Sequence, residues 1–338
     1  MQVSRIAPPG WEDRITAPCQ SQGFAEAMGA MGYRPLYLWG DAGAGLALVR
    51  GWFPGVGRVT ARANLFAPGA DPEFVIQGLR RLAALGIPYV KVGDTMWGVF
   101  WSDLPAGWPF ARTRLVRRHT FSLDLSMDVE KLLKIQDVSV RASVRKAERE
   151  GVEVREVRSS EDLAAYARLA GETTARVRRY TAYTDFPSAF FGEVYARMAP
   201  GGAARFYMAW KGDVPLAGCI LLCSRDEALY FAGASTRDRQ WTALQGSTAV
   251  LWHAIREVKG RGLGRFDFGG CTPTEDAKDP RSGVYAFKKR WGGRLDTFAN
   301  LEVVLGPLRH VFQERVLAPA WDRAHPAYFR ILDALRVR

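Results

Sequence analysis

The sequence predicts an α/β fold with mixed sheets, divided into two domains, and three observations support this prediction. At 338 residues the chain has the length of about two domains of roughly 100–200 residues each. Short β-like runs alternate with helical stretches along the whole chain rather than clustering by type. Hydrophobic residues make up 48% and charged residues 24% of the chain. These fractions are ordinary for globular proteins, so they exclude a wholly disordered chain or a coiled coil.

The first segment, to about residue 128, contains predicted strands and one helix with a clear start. Pro72 lies just inside the start at Asp71, where its missing N–H costs no helical hydrogen bond. Apolar residues of this helix recur at the spacing of one buried face. The predicted elements are the helix 71–85 and the strands 33–38, 46–52, 89–92 and 120–125.

The second segment begins with a predicted basic helix that uses Ser126 as its N-cap and ends at Gly151. Arg141, Arg145 and Arg149 recur at every fourth position, which places three guanidinium groups on one helix face. The further predicted elements are the helices 161–174, 189–198 and 243–259 and the strands 152–157, 206–210, 215–222, 228–232, 265–268 and 301–305, followed by amphipathic helical stretches.

The charge balance narrows the class of partners. The chain has 47 Lys and Arg against 35 Asp and Glu, a net charge of +12, and 38 of the 47 are Arg. Such a balance suits polyanions, namely nucleic acid, anionic lipid headgroups or phosphorylated substrates. Arg is the better bidentate ligand for phosphate, although genome composition also raises Arg over Lys.

Cysteine, histidine and targeting patterns exclude several other classes. Four Cys in so long a chain do not make a disulfide framework, and the four His have no partner at metal-ligand spacing. We therefore expect no metal and no bound cofactor. Neither a GxSxG sequence nor a P-loop is present. No apolar run approaches the ~18–20 residues of a membrane span, and the N-terminus lacks a signal-peptide core, so a cytoplasmic protein is expected.

Five stretches of the second segment carry a resemblance to a known family. They are Arg141-Ala-Ser-Val-Arg-Lys-Ala-Glu-Arg-Glu-Gly-Val152, Glu172-Thr-Thr-Ala-Arg176, Tyr230-Phe-Ala-Gly-Ala-Ser235, Phe266-Asp-Phe-Gly-Gly270 and Gly283-Val-Tyr-Ala-Phe-Lys-Lys-Arg-Trp-Gly-Gly293. In order and spacing they resemble the Fem family of aminoacyl-tRNA-dependent transferases, which build the interpeptide bridges of peptidoglycan. The last two resemble the family's most diagnostic region, Asp-Phe-Gly-Gly followed by Gly-x-x-x-Phe-Lys-x-x-Phe-Gly-Gly. The match covers most of residues 120–300 and is weaker before them.

The resemblance implies two acetyltransferase-like (GNAT) domains without the family's coiled-coil arm, because no long heptad stretch is present. Residues 1–128 with 301–338 would form the first domain, on the precursor side. Residues 129–300 would form the second, with the catalytic channel. The implied activity transfers an amino acid (glycine, alanine or serine) from aminoacyl-tRNA to the amine of a UDP-linked or lipid-linked peptidoglycan precursor, and it allows peripheral contact with the inner membrane surface.

This chemistry needs no covalent nucleophile, because the ester of aminoacyl-tRNA is already activated. The protein has to align two large anionic substrates and stabilise an oxyanion. The resemblance therefore places Lys288 near the reacting carbonyl, with Phe287 shaping the channel. Asp94, in Val92-Gly-Asp94 where the family has a strand ending in Asp-Pro, would orient the amine or accept its proton.

The resemblance also implies binding roles. Arg176 would contact the phosphates of the precursor, and Tyr230, Gly269 and Gly270 would line the substrate channel. The positions that would meet the tRNA backbone are Arg141, Arg145, Arg149 and Lys289.

Simpler interpretations of the same residues stay open. Lys288 alone fits an exposed strand lysine in a basic run, Asp94 a turn residue, and the arginines a solvated helix surface. An acyl-CoA-dependent N-acyltransferase is the alternative enzyme, although Gln240 to Gln245 lacks the central Gly of the pyrophosphate-binding loop. A non-catalytic basic module that binds RNA or membrane is the third option.

Overall fold

The computed structural model describes residues 1–50, 62–93, 96–99, 101–177, 188–276, 278–279, 281–312 and 315, without the side chains of 175–177 and 188. The strands are β1 (Gln2–Ser4), β2 (Arg34–Gly40), β3 (Gly43–Arg50), β4 (Arg62–Phe66), β5 (Tyr89–Val92), β6 (Thr113–Asp124), β7 (Glu153–Glu156), β8 (Ala204–Lys211), β9 (Val214–Cys223), β10 (Glu227–Ser235), β11 (Arg265–Cys271) and β12 (Arg294–Val304). The helices are α1 (Gln22–Ala30), α2 (Pro72–Ala84), α3 (Val129–Ile135), α4 (Val138–Arg149), α5 (Ser160–Val177), α6 (Ser188–Met198), α7 (Arg239–Thr242), α8 (Gly246–Gly260), α9 (Ser282–Lys289) and α10 (Pro307–Phe312).

The chain divides into two compact units. The first comprises Met1–Arg14, Gly32–Val116 and Ala299–Arg338, and the second comprises Ile15–Met31 and Arg117–Phe298. In the first unit the strands are ordered β1-β2-β3-β4-β5-β12. Its neighbouring strands pair antiparallel except for the parallel pair β4–β5, so its sheet is mixed. The predicted mixed α/β class is confirmed.

Helix α2 of the first unit forms for the local reasons that the sequence shows. The carboxylate of Asp71 accepts a hydrogen bond from the main-chain N–H of Glu73 at 2.7 Å, and Pro72 occupies the first helical position. The apolar face packs on the sheet, with Phe74, Val75, Leu79 and Leu82 all buried in the core of this unit.

The second unit has the strand order β6-β11-β10-β9-β8-β7. Only β10 and β11 pair in parallel; the other described pairs of this unit are antiparallel. Helix α8 covers the sheet, and its residues Leu251, Ile255 and Val258 pack with the buried rings of Phe266 and Trp291. The candidate site lies at the edge of this core, where β10 and β11 stop pairing.

Two helix predictions need correction. The predicted basic helix is two helices, α3 and α4, because Asp128 and Asp137 each cap a separate helix start. The predicted cap Ser126 instead donates its main-chain N–H to Asp124. The predicted helix 243–259 corresponds to α8, which begins only at Gly246, because Gln245 before it has a left-handed backbone with φ of 63°. The short helix α7 precedes the predicted range.

The segment Ile15–Met31 belongs to the second unit, not to the first as the predicted boundary at residue 128 places it. Helix α1 packs against α6, and the ring of Phe24 also lies edge-to-face with that of Phe231 in β10, at a centroid distance of 6.4 Å. Glu26 also forms an ion pair with Arg197 at 2.7 Å. These contacts join residues far apart in sequence, so no local pattern could reveal them.

Candidate functional site

The candidate site opens where two parallel strands separate. Strand β10 pairs with β11 only from Glu227 to Leu229, although both strands continue beyond this point. The register of β10 against β9 shifts between Tyr230 and Ala232. The register of β11 against β6 also shifts, after Asp267. Irregularities of this kind redirect a strand and end its pairing, so they create a gap in the sheet.

A cleft of about 360 Å³ occupies this region. Its walls include Tyr230 and Gly233 of β10, the start of α8, and Phe287 and Arg290 at the end of α9. Arg290 is the charged member of the described lining, and no described Asp or Glu contributes to it. The cleft therefore has a positive electrostatic character.

The N-terminus of α8 adds to this character. The carbonyl of Gln245 accepts hydrogen bonds from the main-chain N–H groups of Thr248 and Ala249, so Gly246 and Ser247 provide the first amides of the helix. Both residues line the cleft. The amides of a helix N-terminus carry partial positive charge and favour an anionic ligand group.

Lys288 is buried, with 8% of its surface exposed, in helix α9. Its Nζ donates hydrogen bonds of 2.8 Å to the main-chain carbonyls of Gly269 and Gly270. Burial lowers the pKa of Lys288 to about 8, while the charges of Cys271 and Asp267 act in the opposite direction. An ammonium has three N–H bonds, so these two carbonyls leave one for a further acceptor.

The alternative of an exposed strand lysine at this position is therefore wrong. Lys288 lies near the end of a helix, one turn before Trp291, whose fully buried ring packs in the core. The neighbours of Lys288 have different surroundings. Phe287 lines the cleft, and the guanidinium of Arg290 lies 5.0 Å from the centre of its ring.

Tyr230 lies along β10 over a glycine. A Cβ atom at Gly233 would be 1.8 Å from the phenol oxygen of Tyr230, so the ring occupies the space that any side chain at 233 would need. Gly269 also approaches this strand, because a Cβ atom there would be 3.1 Å from the main-chain oxygen of Tyr230. The structure thus brings Tyr230, Gly269, Gly270, Phe287 and Lys288 together in the second unit.

The structure does not describe the side chains of two other predicted site residues. Asp94 lies outside the described residues. Arg176 belongs to helix α5, but its side chain is also outside them. One turn earlier on α5, Thr173 lines the cleft and accepts a hydrogen bond of 3.0 Å from the main-chain N–H of Ser235.

The four positions predicted to meet tRNA have unequal surroundings. The guanidinium of Arg141 folds back onto the carbonyls of Lys134 and Gln136, at 2.9 and 2.5 Å. Arg145 and Arg149 are exposed and form no ion pair with any described residue. Lys289 is exposed but pairs with Glu275 at 2.6 Å. Of these four positions, Arg145 and Arg149 are therefore the two whose charge is not paired with another described residue.

Sequence reasoning missed several residues around the site. Asp267 stands within Phe266-Asp-Phe-Gly-Gly270, one of the stretches that carry the resemblance, but the sequence predicts no role for its carboxylate. Arg290 was visible only as part of a basic run. Nothing in the sequence signalled Thr120, whose hydroxyl lies 2.5 Å from a carboxylate oxygen of Asp267.

No three His, Cys, Asp or Glu side chains of the described residues are placed to hold a metal ion together. No described helix is both long and apolar enough to cross a membrane.

The comparisons with known proteins agree with this architecture. An acetyltransferase (GNAT) domain model matches residues 138–289. FemX has the same fold with a TM-score of 0.65 at 15% identity, over 93% of this chain and 100% of FemX. L-PGS from Bacillus licheniformis has a TM-score of 0.57 at 14% identity, covering 86% of this chain and 91% of its own.

A conserved protein of unknown function from Bacteroides thetaiotaomicron is also similar, with a TM-score of 0.56 at 9% identity over 83% of this chain and 89% of its own. No curated protein sequence matches the chain. The predicted resemblance to a Fem-type, GNAT-like fold is therefore confirmed at the level of the fold. Together these similarities support an acyltransferase.

Proposed function

We propose that this protein transfers an aminoacyl group from aminoacyl-tRNA to an amine of a peptidoglycan precursor. The observation that carries the proposal is the buried ammonium of Lys288, held by two main-chain carbonyls beside a positively charged cleft. The two carbonyls belong to Gly269 and Gly270 of one stretch that resembles the Fem family, and Tyr230 of another such stretch lies beside Gly269.

The reaction is aminolysis of an ester. The acceptor amine attacks the aminoacyl carbonyl, an N–C bond forms, and the C–O bond to the terminal ribose breaks. The amine loses a proton, and the ribose oxygen gains one. Negative charge develops on the carbonyl oxygen during attack, and a preorganised cation in a water-poor site stabilises it strongly. The remaining N–H of Lys288 can supply this interaction.

Other residues support binding in this proposal. The α8 N-terminus and Arg290 give the cleft the charge that suits a phosphate-bearing donor. Arg145 and Arg149 would contact the RNA backbone, and each such contact adds to the salt dependence of binding. We assign the precursor to the first unit, Arg176 to precursor phosphate, and Asp94 to the attacking amine.

The decisive experiment combines labelled aminoacyl-tRNAs with UDP-linked and lipid-linked precursors. We expect transfer with at least one pair, and a loss of roughly 100-fold or more in kcat for Lys288→Met. Lys289→Met is the matched comparison: Lys289 is adjacent but exposed and paired with Glu275, so its loss should change at most the KM for tRNA and leave kcat unchanged. The proposal fails if no pair in a full panel gives product, or if Lys288→Met transfers as well as the wild type.

A second candidate is an acyl-CoA-dependent N-acyltransferase. The GNAT domain match and the α8 N-terminus at the cleft favour it. Against it, Ala243 stands where the pyrophosphate-binding loop would have its central Gly. A rise in melting temperature with acetyl-CoA, but not with aminoacyl-tRNA or precursors, would favour this candidate over the first.

A further inference from the structure

We infer that Asp267 and Thr120 are positioning residues for Lys288, because they hold the turn at Gly269 and Gly270 whose carbonyls bind its ammonium. This inference rests on the proposed function, which places the Lys288 ammonium at the reacting carbonyl. Neither Asp267 nor Thr120 needs to touch a substrate in this role.

The contacts form one continuous chain from a carboxylate to the ammonium. One oxygen of Asp267, Oδ1, accepts hydrogen bonds from the main-chain N–H of Gly269 at 2.7 Å and from the hydroxyl of Thr120 at 2.5 Å. The Thr120 hydroxyl also lies 2.9 Å from the carbonyl of Gly269. The same carbonyl, with that of Gly270, accepts from Lys288. The Asp267–Thr120 pair therefore contacts the same turn that binds the ammonium.

The turn needs such support because it is made of two glycines. Gly269 has φ of +72°, a left-handed conformation that glycine adopts freely but does not prefer over others. With no side chain to restrict Gly269 or Gly270, hydrogen bonds determine where their carbonyls point. Both carbonyls must face Lys288 at once, so loss of one supporting contact should spread the ammonium over several positions.

The charges around Asp267 support the same conclusion. Its second oxygen, Oδ2, accepts from Arg265 at 3.1 Å, and Arg265 also pairs with Asp296 at 3.0 Å and with Glu227. Asp296 has a second partner, Arg294, at 2.6 Å. Three carboxyl groups thus face two guanidinium groups, and the ammonium of Lys288 favours the charged form of Asp267. Burial raises the pKa of Asp267, whereas Thr120, Arg265, the Gly269 amide and Lys288 favour its charged form.

The test uses two near-isosteric variants and one control. Thr120→Val removes the hydroxyl without changing charge, and Asp267→Asn removes the charge while keeping the shape. Ser122→Ala is the control, because Ser122 lies on the same strand and donates to Asp296 at 2.5 Å, away from the turn. Thr120→Ser keeps the hydroxyl and should restore function if the hydroxyl is what matters.

We expect Thr120→Val and Asp267→Asn to lower kcat by about 10- to 100-fold with little change in KM for the donor. The alkaline limb of the pH–rate profile should move to lower pH in Asp267→Asn only. The direction of this shift follows from charge. The charges of Asp267 and Cys271 raise the pKa of Lys288, so without the Asp267 carboxylate the ammonium loses its proton at a lower pH. A kcat within twofold of the wild type in both variants, or an equal loss in Ser122→Ala, overturns the inference.

A second measurement separates this inference from the proposed function. The Nζ of Lys288 can be titrated by ¹⁵N NMR and assigned with Lys288→Met, whatever reaction the protein catalyses. A lower Nζ pKa in Asp267→Asn and altered Nζ exchange in Thr120→Val support the positioning role even if no aminoacyl transfer is found. Unchanged Nζ signals in both variants contradict it even if transfer is found. If Asp267→Asn does not fold, Thr120→Val against Thr120→Ser decides the outcome.

Discussion

The buried charge of Lys288 makes the stability of the protein depend on pH in a way that one substitution can isolate. In the folded state the pKa of Lys288 is lowered from 10.5 to about 8, because burial disfavours the ammonium. Between these two values the unfolded chain binds the proton more tightly than the folded protein does. Stability therefore rises with pH across this window.

The size of the effect follows from the same two values. The difference between about 8 and 10.5 corresponds to about 3 kcal/mol at 1.36 kcal/mol per pH unit. The cost of the buried charge is fully present below pH 8 and disappears as the pH rises towards 10.5. Lys288→Met has no such charge, so its free energy of unfolding lacks this contribution.

The measurement is chemical denaturation of the wild type and Lys288→Met at several pH values from 7 to 10.5. We expect the wild type to gain about 3 kcal/mol relative to Lys288→Met over this range. Groups that titrate equally in both proteins cancel in the difference. Lys289→Met should not show this gain, because the hydrogen bond to Glu275 raises the pKa of Lys289, so any contribution of Lys289 has the opposite sign and falls as the pH rises. A flat difference curve for Lys288→Met would refute the reasoning, because it would mean that the ammonium is not desolvated.

The remaining predictions concern the cleft, the basic helix and the core. Gly233→Ala should displace the Tyr230 ring, because the added Cβ would lie 1.8 Å from its phenol oxygen; donor KM should rise several-fold while the melting temperature changes little. Charge reversal of Arg145 and Arg149 together should weaken tRNA binding and reduce the slope of log K against log salt by about 1.5 or more. Gly292→Ala should destabilise the protein by about 3 kcal/mol or more, because a Cβ there would lie 2.1 Å from a main-chain oxygen and φ is +75°.

Matched controls make these results interpretable. Gly171→Ala is the control for both glycine variants, because Gly171 lies in a helix and an added Cβ meets nothing within 4 Å. Arg141→Ala should reduce stability more than tRNA binding, since Arg141 binds main-chain carbonyls at the junction of α3 and α4. Equal effects of Arg141, Arg145 and Arg149 on the salt slope would contradict the distinction drawn between them.

Much of the fold could be predicted from the sequence because its signals act over short distances. Helix α2 starts where Asp71 and Pro72 predict, since a cap and a fixed φ act within one turn. The same is true of the alternation of strands and helices that predicts a mixed α/β fold. Within the candidate site, the motif residues Phe287 and Lys288 were found by resemblance, and composition alone favoured the wrong interpretation of Lys288.

The tertiary structure decided what these residues meet. Thr120 and Asp267 are 147 positions apart, yet their side chains share a hydrogen bond. Arg141 belongs to the same series of every fourth residue as Arg145. Its guanidinium nevertheless binds main-chain carbonyls at the junction of α3 and α4. A sequence pattern determines the face on which a side chain lies. Burial, charge balance and hydrogen-bond partners depend on strand pairing over long separations, and burial is what lowers the pKa of Lys288.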